Sequence, residues 1–146
     1  MRNAINIIFA LTFVAILGFA PSAFAQDKIT VEVRAISATQ GAGGYDTKLN
    51  DIQRKLKKAF GSKFSHFTEI KTESLVFMGK IKKTTSLPNG NELTLGYLGK
   101  NGEFIKLQLG IAGKMNSTLR VKRGKTFFQA GLRYGKGILI LAITVK

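Results

Sequence analysis

Cysteine and tryptophan are absent from this 146-residue chain, histidine occurs once and proline twice. Without cysteine the chain cannot form a disulfide, a thiolate nucleophile, a cysteine-ligated zinc site or a lipid anchor on cysteine. The single histidine, His66, excludes a His-x-x-x-His metal pair. Acidic residues are also scarce, since 8 Asp and Glu stand against 23 Lys and Arg. We therefore expect no catalytic residue, no metal ligand, no cofactor and no small-molecule substrate.

The amino-terminal residues have the three parts of an export signal. Arg2 gives a positive start, residues 5–20 are almost entirely apolar, and Pro21 ends that run. The sequence Ala-Phe-Ala at 23–25 has the small residues that signal peptidase accepts, which predicts cleavage after Ala25. The alternative is a retained membrane anchor, but the apolar run is short for a span and no basic cluster follows it.

The predicted organisation is a signal peptide at residues 1–25 and a single β-rich domain at residues 26–146. We expect the mature protein to be exported, periplasmic or extracellular, with no transmembrane span after cleavage. The mature part keeps 22 basic and 8 acidic residues, a formal net charge of +14. This excess attracts polyanions, although it also suits a well-solvated surface without a specific site.

One segment has helical periodicity. Leu49, Ile52, Leu56 and Phe60 recur at helical spacing. A start at Asp46 as N-cap predicts one amphipathic helix near residues 46–60, and Gly61 follows as its C-cap.

The remaining pattern is typical of strands. β-Branched residues and alternating hydrophobicity predict strands at residues 29–38, 64–69, 74–80, 82–87, 93–98, 103–111, 118–122, 125–130 and 138–145. The strand at 138–145 is apolar throughout, which predicts a central position with both faces buried. Residues 131–137 contain three glycines, so we expect them to be irregular.

These elements predict a mainly β (α+β) fold. We expect an antiparallel β-sandwich or partly open barrel of about eight strands, with the single helix covering it. Lysine and arginine discourage uncontrolled pairing at sheet edges, which predicts edge strands around residues 80–85 and 120–125.

Residues 118–132 (TLRVKRGKTFFQAGL) resemble a hairpin of the secretin family, the outer-membrane pores of secretion and pilus systems. In this resemblance Gly124 is the turn glycine and Gly131-Leu132 closes the second strand. The export signal and the ending RYGKGILILA are similar to small uncharacterised exported bacterial β-rich proteins. Both resemblances imply an envelope-associated accessory protein, and neither implies a catalytic residue.

Two functions follow as hypotheses. The first is a non-catalytic exported domain that binds another envelope protein, for example by strand addition at an open sheet edge. The second is a polyanion binder, whose ligand is an anionic glycan, a lipid surface or nucleic acid. The oligomeric state stays open in both. The candidate binding surface consists of Lys80, Lys82, Lys83, Arg120, Lys122, Arg123 and Lys125.

Overall fold

Two β-sheets and one helix are seen in the computed structural model, which describes residues 27–146. The predicted signal peptide lies outside the described residues. The elements are β1 (Lys28–Thr39), β2 (Gly44–Tyr45), a 3-10 helix (Thr47–Leu49), α1 (Gln53–Phe60), β3 (His66–Met78), β4 (Lys82–Ser86), β5 (Glu92–Asn101), β6 (Phe104–Ile111), β7 (Met115–Lys122), β8 (Thr126–Tyr134) and β9 (Gly137–Val145).

The two sheets have simple topologies. The first has five strands in the order β2-β3-β1-β9-β8, and the second has four in the order β4-β5-β6-β7. All pairings are antiparallel except the short pairing of β2 with β3. The prediction of a mainly β, α+β sandwich is therefore confirmed. The predicted edge strands are also confirmed, because β4 and β7 are the two outer strands of the four-stranded sheet.

The main core lies between the two sheets. Alternate residues of β1, among them Val31 and Val33, point into it, while Glu32 and Arg34 point to the opposite face. Leu107 and Leu109 of β6 meet them from the four-stranded sheet and are fully buried. This alternation is the physical reason that the segment folds as strands, since a period of two puts every second side chain on the same face.

A second core lies between the five-stranded sheet and α1. Leu49, Ile52 and Leu56 pack there against Ile36 and Ile140. Strand β9 contributes to both cores, so the prediction of a central strand with two buried faces is confirmed.

The predicted start of the helix was wrong. Asp46 caps the 3-10 helix, accepting a hydrogen bond from the Lys48 amide at 3.1 Å, and α1 begins only at Gln53. The interruption coincides with Arg34 of β1, which donates to the Lys48 carbonyl and, at 2.7 Å, to the Asp51 carboxylate. The sequence pattern alone predicts a continuous helix, but these contacts of Arg34 fix residues 48–51 in a different conformation before α1.

Two strand boundaries also differ from prediction. The predicted strands at 64–69 and 74–80 are one strand, β3, with a bulge opposite Ala35 and Ile36 of β1. The predicted irregular segment at 131–137 is part of β8 as far as Tyr134, because a bulge between Gln129 and Leu132 admits the glycine there. In both places a bulge shifts the alternation without ending the strand.

Candidate binding surface

The four-stranded sheet turns a polar and basic surface outward. Leu95 of β5 and Leu107 of β6 point into the core. The residues before and after each of them in its own strand therefore face outward. We call this surface the basic face and define its cations as Lys82, Lys106, Arg120 and Lys122. Across the sheet, Lys82 is in register with Gly96, Lys106 with Arg120, and Phe104 with Lys122.

Three of the seven predicted binding residues lie on this face, namely Lys82, Arg120 and Lys122. Lys83 does not, because it pairs with inward-pointing Leu95 and is half-buried on the other side of β4. Lys80 lies in the connection before β4, next to Gly99. The seven predicted binding residues are therefore not all on one surface. Besides the three on the face, Lys83 lies on the inward side of β4, and Lys80, Arg123 and Lys125 lie in the connections around the sheet.

Lys106 belongs to the face although sequence reasoning missed it. The signal was available, because Ile105, Leu107 and Leu109 form an inward apolar series that leaves Lys106 and Gln108 pointing outward.

A trough crosses one end of the basic face. Its floor is open at Gly110, which has no side chain on the outer surface, whereas the side chains of Lys82 and Gln108 lie over Gly96. The trough has a volume of about 380 Å³. Its polar lining residues are Lys82, Thr94, Gln108 and Asn116, and the rest of the lining consists of Ile111, Ala112, Met115 and the glycines at 96, 110 and 113. Gln108 donates to the side-chain oxygen of Asn116 at 3.4 Å, and the hydroxyls of Thr84 and Thr94 are 3.2 Å apart.

Phe104 lies between two cations near the other end of the face. The guanidinium carbon of Arg120 is 5.2 Å from the ring centroid, and the Lys122 ammonium is 5.3 Å away. Both distances are within the range of cation–π contacts. The ring therefore contacts both cations on the outer surface.

A basic cleft lies where the face meets the turn between β7 and β8. We define the cleft by its charged lining residues, Lys100, Glu103, Lys122, Arg123 and Lys125, and its volume is about 390 Å³. Four of these five are cations. Lys122 pairs with Glu103 at 2.9 Å, and Arg123 donates to the backbone oxygen of Lys146 at 2.6 Å.

Asp27 forms an ion pair with Lys100, one of the cations of the cleft. The Lys100 ammonium lies 3.3 Å from the Asp27 carboxylate and lowers the pKa of that carboxyl, with help from the Tyr97 hydroxyl. Burial raises the pKa of Tyr97, as does the neighbouring Asp27 carboxylate. Lys100 was not among the predicted binding residues, because only the tertiary structure brings β5 next to the turn at Arg123.

Arg34 is a buried cation that lies outside this surface and is bound by two carboxylates. Arg34 is bound to Asp51 and Glu69 at 2.7 Å each, on the helix side of the five-stranded sheet. Burial opposes its charge, but the hydrogen bonds to Asp51 and Glu69 outweigh burial and raise the pKa of Arg34. This cluster joins the 3-10 helix to the sheet.

His66 is exposed, and its Nε2 atom lies 3.2 Å from the Thr68 hydroxyl. In the part of the chain that the structure describes, no three His, Cys, Asp or Glu residues are grouped to hold a metal ion. Among residues 27–146 no helix is long and apolar enough to cross a membrane.

The segment that resembles a secretin hairpin is divided between the sheets. Residues 118–122 belong to β7 and pair with β6, whereas residues 126–132 belong to β8 and pair with β9. Gly124 does lie at the turn between them, with a φ of 74°. The likeness to that family stays a prediction.

Comparison of the chain with protein-family models, with curated proteins and with solved structures finds no match. The functional argument therefore depends on the surface itself.

Proposed function

We propose that this protein is a non-catalytic exported domain that acts by binding, and that its partner is an anionic polymer lying along the basic face. The observation that carries the proposal is a stretch of basic and neutral residues on the outer face of the four-stranded sheet, which is bounded by the acidic residues Glu92 at the trough end and Glu103 at the cleft. Strands β6 and β7, which form this stretch, contain no Asp or Glu. From Asn116 to Lys122 the surface extends for about 20 Å, at roughly 3.4 Å per strand residue.

The shape of this surface supports a polymer over a compact ligand. Cations occur at several points of the face, at Lys82, at Lys106 with Arg120, and at Lys122. Repeated anionic groups could meet these points in succession, with release of counterions at each contact. The affinity would then depend steeply on salt. For about four contacts, raising the salt from 50 to 200 mM should weaken binding about hundredfold.

Helix α1 offers the matched comparison that tests this proposal. Its exposed Arg54, Lys55 and Lys58 carry the same number of charges as Lys82, Lys106 and Arg120, and with the same residue types. They lie on the solvent side of a helix that packs on the other sheet. Replacing either set by glutamate therefore changes the net charge of the protein by the same amount, but at a different place on its surface.

The experiment measures binding of mature protein to heparin and to polyphosphate at 50 and 200 mM salt. We expect the variant with Lys82, Lys106 and Arg120 reversed to lose at least tenfold more affinity than the helix variant. Equal losses in the two variants would mean that only net charge matters. A larger loss in the helix variant would place the binding surface on α1 and contradict the proposal.

A second candidate is a protein partner that adds a strand to β4 or β7. The position of both strands at the edges of the four-stranded sheet favours it, since an edge strand has no neighbouring strand on its outer side in that sheet. Such a partner, captured from an envelope extract, should be retained at high salt and in the variant with the reversed face. A polymer held by charge should be lost in both.

A further inference from the structure

The trough adds a chemical selectivity that charge alone does not provide. Apart from Lys82, its side chains are neutral. Thr94, Gln108 and Asn116 offer both donors and acceptors, and Ile111, Ala112 and Met115 add apolar contacts. We infer that the anionic polymer is an acidic glycan, whose hydroxyl groups lie in the trough while its carboxylate or sulfate groups contact the cations. This inference rests on the proposed function and specifies its ligand.

The floor of the trough admits a ligand to the sheet backbone. A Cβ atom built on Gly110 would have no neighbour closer than the Thr94 carbonyl oxygen at 4.0 Å. The volume of about 380 Å³ lies within the roughly 300–1,000 Å³ of small-ligand pockets. A hydroxyl-rich ring can use such a site, because neutral amides and hydroxyls fix its orientation through several hydrogen bonds at once.

The aromatic residues disfavour a single-stranded nucleic acid. Proteins that bind single strands stack successive bases on several aromatic rings. Among the described residues, the outer face of the four-stranded sheet carries a single aromatic ring, Phe104, and two cations already lie against it. Tyr97 is in the same sheet but is buried, with its hydroxyl donating to Asp27.

The decisive variant is Gly110→Val, which fills the trough and changes no charge. The position is a strand residue with room for a side chain, and valine favours strands, so the fold should be retained. Ser74→Val is the matched control, since Ser74 is an exposed strand residue of the other sheet. Asn116→Ala, at an exposed edge position, removes a hydrogen-bonding side chain without adding bulk.

The probes are polygalacturonate and heparin as acidic glycans, with polyphosphate and oligo(dT) as polyanions of other classes. We expect Gly110→Val to weaken glycan binding at least tenfold and Asn116→Ala to weaken it about threefold. Binding of polyphosphate should change less than twofold in both, and Ser74→Val should leave all probes unaffected. Thermal unfolding of each variant verifies that it is folded.

The outcomes separate this inference from the proposed function. If Gly110→Val and Asn116→Ala bind the glycans like the wild type, the glycan inference is wrong, while the salt-dependent loss on charge reversal still supports a polyanion. Equal weakening of glycans and polyphosphate in Gly110→Val also overturns the inference. If no probe binds the wild-type protein, the proposed function itself fails.

Discussion

Replacement of Arg34 by leucine should remove the main ionic attachment of the helical segment. The side chain of Arg34 is 8% exposed and binds Glu69, which is 12% exposed, and Asp51, which is 65% exposed. Loss of the guanidinium leaves the Glu69 carboxylate buried without its cation. Removing one partner of a buried ion pair in this way typically costs about 3–5 kcal/mol of stability. Because Asp51 is already in water and regains its hydration, we expect Arg34→Leu to lower the free energy of unfolding by about 3 kcal/mol.

The partner variant decides whether this loss comes from the ion pair. In Arg34→Leu/Glu69→Leu no buried carboxylate remains, and replacing both partners by apolar residues is often nearly neutral. The double variant should therefore be more stable than Arg34→Leu alone, with a coupling of about 2 kcal/mol between the two sites.

The measurement is urea unfolding at pH 7, followed by far-ultraviolet circular dichroism because the chain has no tryptophan. Arg54→Leu, which removes a guanidinium from the exposed side of α1, is the control and should change stability by no more than about 0.5 kcal/mol. The reasoning is refuted if Arg34→Leu costs less than about 1 kcal/mol, or if the effects of the two leucine substitutions simply add.

Two further predictions concern stability. A Cβ on Gly137 would lie 2.0 Å from the Ala38 carbonyl oxygen, so Gly137→Ala should cost about 1–3 kcal/mol in urea unfolding, whereas Gly110→Ala, with room for its methyl group, should cost nothing. The Thr85 hydroxyl donates to Glu73 and lowers the pKa of that carboxyl below its ordinary 4.5. Ionised Glu73 therefore stabilises the fold above about pH 4.5, and this contribution is lost as the pH falls through the lowered pKa. Glu73→Gln should be less stable than wild type at pH 7, and this difference should become smaller as the pH is lowered towards 2. A difference that does not change with pH contradicts this assignment.

Local patterns were sufficient for most of the fold. The alternation of residues 105, 107, 109 and 111 identifies β6 and its inward face, and the apolar run at 138–145 identifies β9 as a strand of two cores. The errors arise where a distant residue decides the local structure. Asp51 and Lys48 bind Arg34, so the helix starts later than the pattern predicts, and bulges in β3 and β8 depend on the strands beside them.

The candidate site was only partly accessible from the sequence. Lysine-rich stretches located Lys82, Arg120 and Lys122, but charge alone does not distinguish them from Lys83, which the strand alternation turns to the other side. The trough could not be predicted, because it requires Gly96 and Gly110 from different strands to become neighbours of Gln108 and Asn116. Cross-strand register depends on the turns and on the buried faces of both strands, so the local periodicity of each strand taken alone does not reveal it.

Strand β1 has one partner nearby in the chain and another very far away. It pairs with β3 after a short excursion, but its other neighbour is β9, and Glu32 meets Lys146 across 114 positions. If synthesis stopped before residue 137, one edge of β1 would be unpaired and β8 would have no partner strand. The β1–β9 and β8–β9 pairings can therefore form only after residues 137–145 have been synthesised, and we expect a chain truncated before residue 137 to expose unpaired strand edges and to be degraded by proteases.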